Sequence, residues 1–83
     1  MEFKKHVRIR KEKFGMVIFE TLKEKVFVTN PTGAEIIERL KDKKTPDTII
    51  TELASQYGAD AAVIADDVNC FINNLVRQEV LAK

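Results

Sequence analysis

The segment FVTNPTGAEIIERL, residues 27–40, changes from strand-like to helix-like spacing at an asparagine–proline pair. Its first residues favour β-structure, whereas its later isoleucines and leucine recur at helical spacing. Asn30 is a favoured N-cap, and Pro31 suits the first helical position because it has no N–H to leave unpaired. Proline also biases the residue before it toward extended backbone. The chain is therefore predicted to pass from a strand into a helix without a loop.

Three strands are predicted before this junction, at Lys5–Arg10, Met16–Thr21 and Val26–Thr29. The first alternates apolar and polar residues, which is typical of an edge strand with one solvated face, and His6 is expected on that face. The second is apolar on both faces, so we expect it at the centre of the sheet with cover on both sides. Short connections predict an antiparallel meander with the other two strands at its edges.

Three helices are predicted to follow, at about residues 32–41, 45–58 and 60–78. The first can begin at the Asn30–Pro31 pair or at a capping box led by Thr32, and the sequence leaves both starts open. The apolar stripes of the second and third helices are Ile49, Ile50, Leu53 and Tyr57, and Ile64, Val68, Phe71, Ile72 and Leu75. The predicted fold class is α+β: one domain over residues 1–83, with a three-stranded antiparallel meander followed by three helices, similar to a winged helix-turn-helix.

Charge and cysteine content limit the partners and the compartment. The formal net charge of +1 gives no overall attraction to nucleic acid or to a membrane. The single cysteine, Cys70, excludes an intramolecular disulfide and a multi-cysteine metal site. Neither a signal peptide nor an apolar run of membrane-spanning length is present in the sequence. We therefore expect a cytoplasmic chain that does not bind membranes.

The βββααα order raises the alternative of a winged-helix DNA-binding or regulatory domain. Against it, the sequence between Thr45 and Val76 contains no lysine or arginine. Acidic residues do occur there: Asp47, Glu52, Asp60, Asp66 and Asp67. Phosphates supply much of the affinity of DNA binding and would be repelled by such helices. The charge distribution therefore predicts no nucleic-acid partner.

No group of residues with the spacing of a catalytic or cofactor site is visible in the sequence. His6 stands among lysines, and Cys70 has no histidine near it in sequence to activate a thiolate. Asp66 and Asp67 are adjacent, so on a helix they point in different directions. The glycines are isolated and form no phosphate-binding loop. The chain is predicted to be a binding module, not an enzyme, with no cofactor and no metal.

The order and spacing of several motifs carry a family resemblance over nearly the whole chain. The motifs are RIRKEKFG (residues 8–15), MVIFE (16–20), VFVTNPTGAEIIERL (26–40), Asp67-Val68, Phe71-Ile72, Leu75 and Val80-Leu81. Together they resemble the PqqD-like family, the domains that recognise precursor peptides in the biosynthesis of ribosomally made, modified peptides. Val28-Thr29 stands where a leucine often precedes the asparagine, and Lys43-Lys44 where glycine is common, which leaves the subfamily open.

The resemblance implies a non-enzymatic peptide chaperone. Such domains bind the leader segment of a precursor as an extra strand beside the third strand and against the third helix. They present it to a separate modifying enzyme, here expected to be a radical S-adenosylmethionine protein. From spacing alone, the favoured interpretation of the third strand is a short edge protected by Lys25 and by its brevity; the resemblance reverses this preference and favours the binding edge. The sequence leaves monomer and homodimer open, together with the identity of the precursor.

Helical geometry predicts which side of the third helix faces the peptide. Next to the core stripe runs a second stripe of mixed apolar and polar residues, which suits the wall of a groove: Val63, Asp67, Cys70, Asn74 and Arg77. Phe71 lies between the two stripes. The alternative is an ordinary boundary between core and solvent. The predicted peptide-binding residues are Lys25, Val26, Phe27, Val28, Thr29, Val63, Asp67, Cys70, Phe71 and Asn74, and a tryptophan at Cys70 is expected to block the groove.

Overall fold

The computed structural model of the chain describes residues 1–82. Four strands precede three helices in these residues, and a short fifth strand follows them. The elements in chain order are β1 (Glu2–Phe3), β2 (Val7–Glu12), β3 (Gly15–Glu20), β4 (Lys25–Thr29), α1 (Pro31–Lys41), α2 (Pro46–Tyr57), α3 (Ala61–Arg77) and β5 (Leu81–Ala82).

The main sheet is an antiparallel meander with strand order β2-β3-β4. Its register places Ile9 opposite Ile18 and Ile18 opposite Phe27. The predicted fold class and strand order are thus confirmed, with β2 and β4 at the two edges. Observed strand bounds differ from the predicted ones by at most two residues, which is the usual uncertainty at the ends of elements.

A second, two-stranded sheet was not predicted. In it, β1 pairs antiparallel with β5, with Phe3 opposite Leu81, and the amide of Lys4 donates to the carbonyl of Val80 at 3.0 Å. Two-residue strands are too short to show an alternating pattern, so the sequence carries no signal for them. This small sheet holds the segment before β2 against the end of α3.

The junction between β4 and α1 has the predicted geometry and settles where the helix begins. Asn30 is extended, with φ −77° and ψ 175°, and its side chain accepts a hydrogen bond from the amide of Gly33 at 2.8 Å. The helix therefore begins at Pro31. One residue earlier, the buried Thr29 hydroxyl accepts from the amide of Met16 at 3.0 Å. The Thr29 side chain thereby satisfies a β3 donor at the point where the chain leaves the sheet.

The hydrophobic core lies between the helices and one face of the main sheet. The sheet contributes Val7, Met16 and Ile18 to this core. The helices and the segment after them contribute ten further core residues: Ile36, Ile37, Leu40, Ile49, Leu53, Val68, Ile72, Leu75, Val80 and Leu81. These residues include most of the predicted stripes.

The opposite face of β3 is also buried, in agreement with the prediction of cover on both sides, since Val17 there is 6% exposed. Val17 and Phe19 lie on this face, opposite Arg10 and Arg8 of β2. The Arg10 guanidinium stands 5.6 Å from the centre of the Phe19 ring. Long arginine side chains can cover apolar surface while their charged ends stay in water. Side chains of the neighbouring strand therefore contribute to the cover on this face.

His6 is not a solvated residue on the wet face of a strand, as its alternation predicted. It lies in the turn before β2, with Nε2 3.1 Å from Glu20 Oε1 and 3.2 Å from the carbonyl oxygen of Glu79. Glu20 is 1% exposed, and its carboxylate also accepts from the amides of Leu22 and Lys23 at 2.9 and 3.1 Å. A buried carboxylate requires such partners. The group fixes the turn between β3 and β4.

Replacing Glu20 with alanine is expected to lower the free energy of unfolding by about 2 kcal/mol, because hydrogen bonds to a charged group are lost from a buried site. Urea denaturation measures the change. Glu12→Ala, which removes a half-buried partner of the exposed Arg10, is the control and is expected to cost under about 1 kcal/mol. Equal losses in the two variants would show that Glu20 contributes no more than a surface ion pair.

Tyr57 was predicted on the apolar side of the second helix, but it is 45% exposed. Its hydroxyl donates to the Glu35 carboxylate of α1, which also accepts from Gln56 at 2.7 Å. The hydrogen bond from Tyr57, followed by that from Gln56, lowers the pKa of Glu35. Tyr57 therefore joins α1 to α2 through its polar end instead of filling the core.

Candidate functional site

A groove runs between β4 and α3 and consists of two adjoining cavities of about 290 and 450 Å³. The first is lined by Ile18, Val26, Phe27, Val28, Thr29, Phe71, Asn74, Leu75 and Gln78. The second is lined by Val28, Thr29, Asn30, Thr32, Gly33, Ile36, Asp67 and Phe71. Val28, Thr29 and Phe71 belong to both cavities, so the two form one continuous groove.

The strand side of the groove is an edge of the main sheet. Within residues 1–82, β4 pairs with β3 alone. In an antiparallel ladder, every second residue points its N–H and C=O away from the partner strand, so β4 offers a row of free backbone groups. Val26 and Val28 are 59% and 64% exposed. The edge is thus apolar in side chains and unpaired in backbone.

Phe71 forms the centre of the groove on the helix side. It is half-buried and packs against the hydrophobic core while lining both cavities. The close approach depends on Gly33, because a Cβ there would lie 3.0 Å from Phe71 Cε1 and 3.0 Å from Thr29 Cβ. The Asn30-Pro31-Thr32-Gly33 junction therefore ends the edge strand, starts α1 and leaves room for the aromatic ring.

The two ends of the groove differ in charge. At one end, the Lys25 ammonium donates to Gln78 Oε1 at 3.3 Å. Nearby, Lys23 pairs with Glu79 at 2.6 Å, and its hydrogen bond and charge lower the pKa of Glu79. At the other end, Asp67 lines the second cavity beside the uncharged side chains of Asn30 and Thr32. The first end is therefore basic and the second acidic.

The structure brings together most of the residues predicted to bind a peptide. Those that line the groove are Val26, Phe27, Val28, Thr29, Asp67, Phe71 and Asn74, and Lys25 joins them through Gln78. Val63 and Cys70 are exposed on α3 but line neither cavity. A role for those two residues stays a prediction. Because Asn74 lines the first cavity, a tryptophan there is also expected to block the groove, and the block expected from a tryptophan at Cys70 stays a prediction.

Sequence reasoning missed Gln78 and Gly33. The predicted stripe on the third helix ended at Arg77, whereas Asp67, Phe71, Asn74 and Gln78 line the groove at i, i+4, i+7 and i+11. Beginning that stripe at Asp67 and including Phe71 would have found Gln78. Gly33 carried no such signal, because its importance lies in a contact between distant segments.

The described residues give no sign of a metal site or a membrane span. Among residues 1–82, no three histidine, cysteine, aspartate or glutamate side chains are grouped so that they could hold a metal ion. None of the helices in this part of the chain has the length and apolar character needed to cross a membrane.

Sequence comparison gives one family match. A model of the family described as coenzyme PQQ synthesis protein D (PqqD) matches residues 15–81. This range begins at the first residue of β3 and ends at the first residue of β5. Comparison with curated proteins gave no match.

Three solved structures share the fold. TbiB1 in complex with the TbiA(beta) leader peptide has a TM-score of 0.92 at 20% identity, over 100% of both chains. Lasso peptide synthetase B1 complexed with the leader peptide has a TM-score of 0.91 at 20% identity, over 98% of this chain and 95% of that one. The solution structure of the PqqD truncation of Methylobacterium extorquens PqqCD, a stand-alone recognition element for ribosomally synthesized and post-translationally modified peptides, has a TM-score of 0.80 at 21% identity, over 99% and 87%.

Proposed function

This chain belongs to the family of coenzyme PQQ synthesis protein D, and we propose that it binds the leader segment of a ribosomally made precursor peptide. The leader adds as a strand to the free edge of β4 and lies against α3. The chain catalyses no reaction itself and presents the precursor to a separate modifying enzyme, a radical S-adenosylmethionine protein. That enzyme supplies its own iron–sulfur cluster, because such a cluster needs several thiolates and this sequence has a single cysteine.

The observation that carries the proposal is the pairing of an open strand edge with an apolar groove. An added strand would satisfy the free backbone groups of β4, and its side chains would reach the cavities beside Phe27, Phe71 and Leu75. Two of the structures with this fold hold leader peptides. A short peptide loses chain entropy on binding, so we expect an affinity of about micromolar.

The charges of α3 oppose the winged-helix alternative. Along Ala61–Arg77 the charged residues are Asp66, Asp67 and, at the last position, Arg77. A recognition helix placed in the DNA major groove would need cations facing the phosphates.

Amide hydrogen exchange of the full chain with its leader peptide tests the proposal. Binding is expected to slow exchange of alternate amides in β4, because strand addition pairs every second N–H of the free edge. Asn74→Trp fills the first cavity and is expected to weaken leader binding about tenfold, since the indole occupies the volume of the peptide side chain. Titration calorimetry gives the affinity.

Asn73→Trp is the matched control, since it replaces the same residue type by the same side chain on the same helix, at an exposed position outside both cavities. Its affinity for the leader is expected to stay within about threefold of the unchanged protein, a difference of under about 1 kcal/mol. A leader that binds without protecting any amide of β4, or that remains helical when bound, would overturn strand addition.

A further inference from the structure

We propose that the groove selects leaders by charge order: a basic residue, then an apolar anchor two positions later, then an acidic residue two positions after that. The inference rests on the proposed function and names the chemical class of peptide that this groove accepts. It follows from the opposite charges at the two ends of the groove and from the apolar lining between them.

The basic end is built from β4 and the end of α3. Lys25 is the first residue of β4 and contacts Gln78, the C-cap of α3. Arg77, which precedes Gln78 as the last residue of α3, is a second exposed cation at this end of the helix. The charge of Lys23 is offset by its ion pair with Glu79, which leaves Lys25 as the cation that contacts the groove lining. These cations would attract an acidic side chain of the leader to this end of the groove.

The acidic end is set by Asp67. It lines the second cavity with Thr29, Asn30 and Thr32, and none of these neighbours carries a charge. Asp66 precedes it in the same helix and adds to the negative potential. Because no lysine or arginine among residues 1–82 lines this cavity, the Asp67 carboxylate is available to a basic side chain of the leader.

Strand geometry fixes the spacing between the two charges. From Lys25 to Thr29 the strand spans about 13 Å at roughly 3.3 Å per residue. Side chains on one face of an added strand recur at every second residue, so three of them can face the groove over this length. The middle one enters the first cavity beside Phe27, Phe71 and Leu75, which requires an apolar side chain.

The direction of the leader follows from the sheet. All three strands of the main sheet are antiparallel to their neighbours, and antiparallel addition continues that pattern. An antiparallel leader begins beside Thr29 and ends beside Lys25. Its basic residue therefore comes first, opposite Asp67, and its acidic residue comes last.

Two synthetic peptides of equal composition and net charge test the inference. Both carry the same flanking residues; one contains Lys-Ser-Leu-Ser-Asp and the other Asp-Ser-Leu-Ser-Lys. The first is expected to bind about tenfold more tightly at low salt, because it replaces two like-charge contacts with two opposite-charge contacts. The difference is expected to shrink as salt rises, since exposed charges are screened. Calorimetric titration at two salt concentrations measures both effects.

The double variant Lys25→Glu, Asp67→Lys is expected to reverse the preference. Lys5→Glu with Asp42→Lys makes the same charge changes at exposed positions outside the groove lining and is expected to leave the preference unchanged. Equal binding of the two peptides, or a preference that the first double variant does not reverse, would overturn the charge order while leader binding stands. Failure of both peptides and of the natural leader to bind would overturn the proposed function as well.

Discussion

Replacing Gly15 with alanine is expected to lower the free energy of unfolding by about 3–5 kcal/mol, through backbone strain and overpacking acting together. Gly15 has φ +149°, which side chains rarely adopt. A Cβ there would overlap the carbonyl oxygen of Thr29 and stand 3.0 Å from the carbonyl carbon of Asn30. Both neighbours are backbone at the β4–α1 junction and cannot move aside without shifting it. Urea denaturation followed by circular dichroism measures the loss.

Gly58→Ala is the control, because this residue also has positive φ, at +60°, but no heavy atom lies within 4 Å of the added Cβ. The free energy of unfolding is expected to fall by only about 1–2 kcal/mol in this variant, because alanine is strained in the left-handed conformation but meets no neighbour. Similar losses in the two variants would mean that contact with the junction contributes nothing. If the Gly15 variant folds, displaced β4 amides in its NMR spectrum would show directly that β3 positions the binding edge.

Elements with a long, regular pattern were predictable from the sequence. The three main strands and three helices all carry several apolar residues at period 2 or 3.6, and Asn30 with Pro31 marks a helix start by local chemistry. Each of these signals lies within one segment of chain. The edge position of β4 could also be read from the order of elements, whereas its role in peptide binding was implied only by the family resemblance.

Contacts between distant segments were not predictable in this way. Alternation places Glu20 on a face of β3, but it does not show that His6 and two turn amides converge on its carboxylate. Likewise, helical spacing puts Tyr57 beside the apolar stripe of α2, and the acceptor on Glu35 of α1 draws its hydroxyl outward. Such pairings depend on three-dimensional packing, which a single sequence does not display.

The helix face of the groove falls between these cases. The stripe predicted on α3 shares Asp67 and Asn74 with the observed one, but the observed stripe is centred nearer the core and includes Phe71 and Gln78. The difference is a small rotation about the helix axis. It arises because α3 packs against α2 and the sheet together, and their relative positions decide which residues remain open to the groove.

Phe71→Ala is expected to reduce both stability and leader binding, because the ring serves the core and the groove at once. The free energy of unfolding should fall by about 2–3 kcal/mol, less than the 3–5 kcal/mol typical of a fully buried phenylalanine, since Phe71 is half-buried. Leader affinity should fall at least thirtyfold, about 2 kcal/mol, because the apolar anchor loses its aromatic partner. Chemical denaturation and calorimetry measure the two losses separately.

Ile64→Ala separates the two roles of that ring. Ile64 lies on the same helix and packs partly buried against the same core, but it lines neither cavity. The free energy of unfolding should fall by about 2 kcal/mol, which is similar to the loss in Phe71→Ala, while leader affinity stays within about twofold of the unchanged protein. If both variants lose stability and neither loses affinity, Phe71 is a core residue alone and the leader lies elsewhere. If Phe71→Ala alone loses affinity, the ring that α1 accommodates through Gly33 is also the ring that the leader contacts, and the strand-to-helix junction shapes the binding site.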